Sequence, residues 1–340
     1  MNTIRHIAAS LLACCIMSAA HAEEKSPLAT AFERMQVGDT ALARGILEPL
    51  AAEGDADAQH MLGYMEERGL GGPKNLKRAL DLYSNAALSG SLDAQFALGE
   101  LAFLGDGVKR DYKRAAGWFT LAAEGGHVQA KMRLGIMYSE GLGFEADRDK
   151  AVAFFEEAAS LGDAGAQYNM GVAHLVGQGV DRDYQKAAEW FQKSAEQGSP
   201  DAQYNLALLY DSNFLGDPQP DQTVKWMRAA ADAGLPAAFV AMGLMVHDGR
   251  AKTDDGENAA SVAADWFEKA ARAGEPQGQY LYAVSLAEGD GRDKNAAEAK
   301  AWLQRSLARE GALHPETKAA ADELLASLEV TLQGGRRLRD

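Results

Sequence analysis

The stretch "GQGVDRDYQK", Gly177 to Lys186, holds two glycines one residue apart and then a basic residue near a candidate helix start. Such a loop can cradle a phosphate. Glycine lets backbone N–H groups approach the anion, and a helix N-terminus adds a favourable dipole. Of the seven histidines, the five beyond residue 22, His60, His127, His174, His247 and His314, are candidate bases or metal ligands. "DRDYQ", "DRDK" and "TDDGEN" (Thr253 to Asn258) cluster oxygen donors of the kind a hard cation takes.

None of these completes a reactive set. The histidines never fall at a metal-ligand spacing. H-E-x-x-H, G-x-S-x-G and S-x-x-K are absent. "DRDYQ" and "DRDK" lack the central glycine and terminal Glu of a calcium loop and align as helix caps. "TDDGEN" reads as a polar loop, with a lone cation as the competing reading. His174 shares a column with Tyr138 and Tyr210, which reads as packing at the core edge. The glycine pair itself recurs as Gly69/Gly71, Gly105/Gly107, Gly141/Gly143, Gly177/Gly179 and Gly289/Gly291. A phosphate loop is needed once, whereas a chain reversal between two helices is needed in every repeat. No strand pattern precedes the loop, so it is architecture. No cofactor or metal is expected, and the chain reads as non-enzymatic.

The elements behind this register are repeats. Glycines close Ala-rich segments at Gly54, Gly90, Gly126, Gly162, Gly198, Gly234 and Gly274, at intervals of 36 residues and finally 40. Nine residues after each stands Gly63, Gly99, Gly135, Gly171, Ala207, Gly243 or Ala283. A bulky column runs Leu82, Trp118, Phe154, Trp190, Trp226, Trp266 and Trp302. Each repeat predicts two helices. Helix A ("DAQYNLALLY") is capped by Asp55, Ser91, Asp163 or Ser199, and Pro200 suits its first position. Its glycine column lets the next helix approach closely. Helix B ("DYQKAAEWFQKSAEQG") is capped by Asn75, Asp111, Asp147 or Asp183. Its Trp/Phe pair is expected to fill the core, and its closing glycine to take a left-handed cap.

A pair this short cannot bury its apolar stripe alone, so stacked pairs must share a core. The pattern "DAQFALGELAFLGDGVKRDYKRAAGWFTLAAEGG", Asp93 to Gly126, resembles the Sel-one-like repeat, a relative of the tetratricopeptide repeat. That resemblance implies an all-α, right-handed α/α superhelical solenoid and a role in protein interaction, with no chemistry attached. Residues 54–310 hold seven repeats. Residues 23–53 read as a divergent N-terminal helix pair, 311–332 as a capping helix whose Leu324, Leu325 and Leu328 cover the last repeat, and 333–340 as a disordered tail.

In solenoids of this type helix A lines a concave groove, and the partner is a protein or peptide. The exposed columns would carry Arg133, Asn169 and Asn205 beside Tyr168, Tyr204 and Tyr280. Asn amides can bond both N–H and C=O of an extended chain, and tyrosines offer rigid contact area. Packing between neighbouring helices is the alternative role for the same residues. Two turns depart from the repeat, at residues 212–222 and 247–262. They stand either at a binding edge or as drift on exposed loops.

Charge and leader bound the setting. The net charge of −15 disfavours nucleic acid and anionic membrane surfaces. Arg5 and His6, an apolar run from Ile7 to Ala20 and "AHA" at Ala20–Ala22 predict a secretory leader over 1–22, with the mature chain starting at Glu23. Both cysteines, Cys14 and Cys15, lie in it, which leaves no disulfide or thiol chemistry. "LLAC" gives lipidation at Cys14 as a lesser alternative. No later stretch is long and apolar enough to cross a membrane. The expected role is a periplasmic or secreted adaptor or regulator. A cell-envelope hydrolase and an exported host-interaction protein are the alternatives.

Overall fold

A computed structural model describes residues 26–254 and 256–337. The leader with Cys14 and Cys15, the expected start at Glu23, and residues 338–340 lie outside the described residues. Among the described residues the fold is all-α, with no strand. One compact unit ends at Ala158 and a second begins at Ala159.

The first unit holds α1 (Pro27–Gln36), α2 (Thr40–Ala52), α3 (Ala56–Arg68), α4 (Leu76–Leu88), α5 (Leu92–Leu104), α6 (Tyr112–Glu124), α7 (Val128–Glu140) and most of α8 (Arg148–Ser160). The second holds α9 (Ala164–Val176), α10 (Tyr184–Glu196), α11 (Pro200–Asp211), a 3-10 turn (Asn213–Leu215), α12 (Pro220–Asp232), α13 (Pro236–His247), α14 (Ala259–Arg272), α15 (Pro276–Glu288), α16 (Ala296–Leu307) and α17 (Pro315–Arg337). The odd helices α3 to α15 are helices A of the repeats, and the even helices α4 to α16 are helices B. Within each unit, helices next to one another in sequence pack together.

Local chemistry sets the boundaries. Asp55, Ser91, Asp163 and Ser199 each accept a backbone N–H three residues on, as their types predict. His127 does the same through Nδ1. Asn75, Asp111, Asp147 and Asp183 cap helices B. Helix B ends in a Schellman turn, as α2 does: after α4 the Gly90 N–H reaches Ala87 O at 3.1 Å and the Ser91 N–H reaches Ala86 O at 3.0 Å, and after α2 the Gly54 N–H reaches Ala51 O at 3.2 Å. Helix A ends on the first glycine of the pair. Gly177, at φ 74°, caps α9, and its N–H donates to Ala173 O at 2.9 Å. The second glycine of the pair serves packing as well. A Cβ on Gly143 would stand 2.7 Å from Tyr112 O in the preceding repeat.

The core differs from expectation in one respect. Trp118, Trp190 and Trp302 are only half-buried, and the deepest position is the residue after each. Tyr83, Phe119, Phe191, Met227 and Leu303 are at most 1% exposed. One residue is about 100° of helix rotation. That rotation turns the tryptophan to the flank, where its ring is covered by a cation: Lys193 over Trp190 and Lys269 over Trp266 at 4.0 Å, and Lys225 over Trp226 and Arg305 over Trp302 at 4.5 Å. Trp226 and Trp266 are buried.

The ends are tied in. In the first unit Glu66 of α3 is buried and takes Arg44 of α2 (2.5 Å) and Arg78 of α4 (2.8 Å), while Arg78 also pairs with Glu48. This alternating set fastens α2 to the first repeat. In the second unit α17 buries Ala321 and Leu328, with Leu324 and Leu325 half-buried beside them. The helix runs to Arg337, past the boundary expected at Leu332. Gly334 and Gly335 cost about 1 kcal/mol each relative to alanine, which is not enough to force a stop.

Candidate functional site

The six residues singled out for partner contact are all half-buried, in matching positions on helices A. Their surroundings separate them. In the first unit Arg133 of α7 is already engaged. Its Nε and Nη2 donate to the two carboxylate oxygens of Glu100 on α5, at 2.7 and 2.8 Å, and its guanidinium lies 5.5 Å from the Phe103 ring. Both groups of a two-pronged donor are used, so Arg133 fastens two repeats together rather than offering a free cation.

In the second unit Tyr168 and Asn169 stand on α9, Tyr204 and Asn205 on α11, and Tyr280 on α15. Helix α9 touches α11, and α13 touches α15, so helices A of successive repeats are neighbours. The Asn205 Nδ2 donates to Asp201 O at 2.8 Å, while Asn169 makes no hydrogen bond among the described residues. Burial, followed by the Asp201 carboxylate, raises the Tyr168 phenol above its ordinary value against a hydrogen bond with Asn205. Burial and then Glu275 do the same for Tyr204. Both phenols therefore stay neutral and able to donate.

A different column does the structural hydrogen bonding. Gln59, Gln95, Gln167, Gln203 and Gln279 each send Nε2 to a carbonyl eight residues back, in the last turn of the preceding helix, at 3.1 to 3.4 Å. Each of those carbonyls also accepts the N–H of the closing glycine, as Ala51 does from Gly54, so the glutamine adds a second bond at the helix end. The signal was the recurring "AQ" of helix A, hidden inside what reads as a helix start. Gln167 is further held by Gln197 Nε2 at 2.8 Å on its Oε1.

The histidines resolve into structural roles. His174 is buried, and its Nδ1 lies 3.4 Å from Asp181 O. His127 accepts the Ala130 N–H on Nδ1, so Nε2 carries the proton and donates to Asp93 Oδ1 at 3.2 Å. Its ring stacks on Phe96 at 4.6 Å. The bond from His127, with the nearby charges of His60 and His127, holds the Asp93 carboxyl below its ordinary range against the effect of burial. Burial lowers the His60 imidazole, against Asp93 and Asp57. No group of three or more His, Cys, Asp or Glu suited to a metal occurs among the described residues. In "TDDGEN" the Asp254 N–H donates to Glu257 and Asn258 caps α14; Asp255 lies outside the described residues.

The two irregular turns are latched. Phe214 of the 3-10 turn is exposed yet stacks on Tyr184 of α10 at 4.2 Å. The extra length of the sixth repeat falls in residues 248–258, and Arg250 there donates to both oxygens of Asp211 at 3.1 Å.

The Sel1 repeat family matches seven segments, residues 56–91, 92–127, 128–163, 164–199, 200–235, 241–275 and 276–309. This chain belongs to the Sel1 repeat family. The seven Sel1 segments begin at helices A, except that the sixth begins within α13. Sel1 repeat proteins are generally protein-interaction scaffolds. A Sel1 repeat protein from Oxalobacter formigenes is 26% identical, over 72% of this chain and 99% of its own, with a TM-score of 0.66. A protective antigen of uropathogenic Escherichia coli with an SLR fold is 28% identical, over 83% of this chain and 68% of its own, with a TM-score of 0.47. No curated protein matches. No described helix is long and apolar enough to cross a membrane.

Proposed function

We propose that this Sel1 repeat protein is a non-enzymatic adaptor or regulator of the bacterial cell envelope, exported by its leader and binding a protein or peptide in a groove lined by helices A. The observation that carries this reading is the spacing of Tyr168, Tyr204 and Tyr280. Each is a half-buried aromatic on a helix A of the second unit, at matching repeat positions. A tyrosine anchored by burial, with a neutral phenol at its tip, pays little entropy to bind and offers both apolar area and a hydrogen bond. The leader supports a periplasmic or secreted location, and the absence of a nucleophile and base pair in the sequence supports a binding role.

Two measurements test it. Fractionation of cells carrying a C-terminally tagged chain should place it in the periplasm or the medium; retention in the cytoplasm would sink the export. Affinity purification from the envelope, analysed by mass spectrometry, should recover a partner that the Tyr168→Ala/Tyr204→Ala variant loses. A partner retained by that variant would move the binding surface away from helices A.

A further inference from the structure

Charge is segregated between the two helices of the repeats in the second unit. Helices α10, α12, α14 and α16 each carry two Lys or Arg, whereas α9, α11, α13 and α15 carry none. The acids on the helix A side are not all consumed. Asp211 is taken by Arg250, but Asp201, Glu275 and Glu288 form no ion pair among the described residues. On the same set of helices Val176 and Leu208 are exposed, and Tyr168 and Tyr204 are half-buried.

We propose that the helix A face of the second unit takes an extended, aliphatic segment of a partner protein that carries lysine or arginine side chains. This rests on the groove reading above and names the chemistry of its occupant. A cation beside Tyr168 meets the Asp201 carboxylate and one beside Tyr204 meets that of Glu275, each without an ion-pair partner, and the tyrosine faces add a cation–π contribution. An acidic segment finds no lysine or arginine on these four helices and meets like charge. Phosphate-rich polymers are disfavoured for the same reason. The aliphatic requirement follows from Val176 and Leu208, whose exposed surface gains by being covered. The neutral phenols of Tyr168 and Tyr204 can donate to main-chain carbonyls of the segment.

The test uses the full chain from Glu23 and three labelled short peptides in fluorescence anisotropy, alternating Lys/Leu, Ser/Leu and Glu/Leu. Physiological salt screens long-range attraction to the net negative chain. The Lys/Leu peptide should bind about tenfold more tightly than Ser/Leu, with Glu/Leu weakest. Asp201→Lys/Glu275→Lys should invert that order. The milder Asp201→Asn/Glu275→Gln should level it while leaving the circular dichroism melt unchanged. Glu189→Lys/Asp232→Lys, on exposed positions of helices B, makes the same net charge change and should leave the order intact.

Three results overturn the proposal. Equal binding of Lys/Leu and Ser/Leu, both lost in Tyr168→Ala/Tyr204→Ala, leaves the face as the binding surface and removes the charge preference. Equal weakening by the helix B pair reduces the preference to the field of the whole chain. Absence of binding by every peptide, with a Tyr-dependent partner still captured from the envelope, rejects this occupant and keeps the groove.

Discussion

A Cβ added to Gly171 would stand 2.5 Å from the ring of Phe191, closer than real Cβ contacts allow. The same pairing joins Gly63 to Tyr83, Gly99 to Phe119, Gly135 to Phe155 and Gly243 to Phe267. Where the chain carries Ala207 and Ala283 instead, the facing positions are Met227 and Leu303. Helix A thus shows an open backbone to a flat ring, or a methyl to a flexible aliphatic.

Gly171→Ala should therefore destabilise by about 1–3 kcal/mol through overpacking. Phe191→Leu alone should also cost stability by leaving a void. The double variant should recover part of the loss, with a coupling energy of about 0.5–3 kcal/mol in a denaturant-melt cycle. Additive losses would show that the ring and the glycine are independent.

Gln167 Oε1 is satisfied by Gln197, while Gln203 Oε1 is buried without a partner. The residue matching Gln197 in the next repeat is Ala233, at the same cap position of α12. Ala233→Gln should supply the missing donor and raise stability by about 1 kcal/mol. The gain should vanish when Gln203 is replaced by Leu. A rise in the urea midpoint that survives that replacement would point instead to a bond with the Gly198 carbonyl, the counterpart of the one Gln197 makes to Gly162.

Acid should weaken the first unit in two steps. The His60 value in the folded chain lies below its ordinary 6.5, so below that pH the unfolded chain binds a proton that the folded chain resists. Stability falls as pH drops through 6.5 and levels once the folded imidazole also protonates. The Asp93 value is held below 3.8, so its contribution is whole above that pH and is lost as pH falls through the folded value. Denaturant midpoints measured across both windows should show the first fall disappear in His60→Gln and the second in Asp93→Asn. A first fall unchanged in His60→Gln would assign it to another group.

Arg133→Met should lower the melting midpoint by an amount equivalent to about 1–2 kcal/mol, since it strips Glu100 of a two-pronged partner. Partner capture by the folded variant should be unchanged. Loss of capture without loss of stability would restore Arg133 as a contact residue.

The repeat was legible because each helix is short and meets mainly its sequence neighbours, so tertiary contacts recur at the repeat interval. The glycine turns, the caps at Asp55, Ser91, Asp163 and Ser199, and the Sel1 family could all be read from columns. The rotation of helix B could not. Two adjacent aromatics such as Trp190 and Phe191 differ by about 100°, and packing against Gly171 selects which of them goes deep. Gln203 and Arg133 were hard for a related reason. A polar side chain on an exposed-looking column is free or engaged according to what the neighbouring repeat presents.

The sequence by itself determined the all-α repeat, its 36-residue period and the absence of cations on helices A of the second unit, because composition and spacing are one-dimensional properties. Only the tertiary structure decided that Phe191 rather than Trp190 fills the core, that Arg133 is spent on Glu100 and that Asp201 and Glu275 are not paired. These are distances between residues roughly one or two repeats apart. The physical reason is that hydrogen bonds and ion pairs act over a few ångströms, and chain order does not specify separations that short.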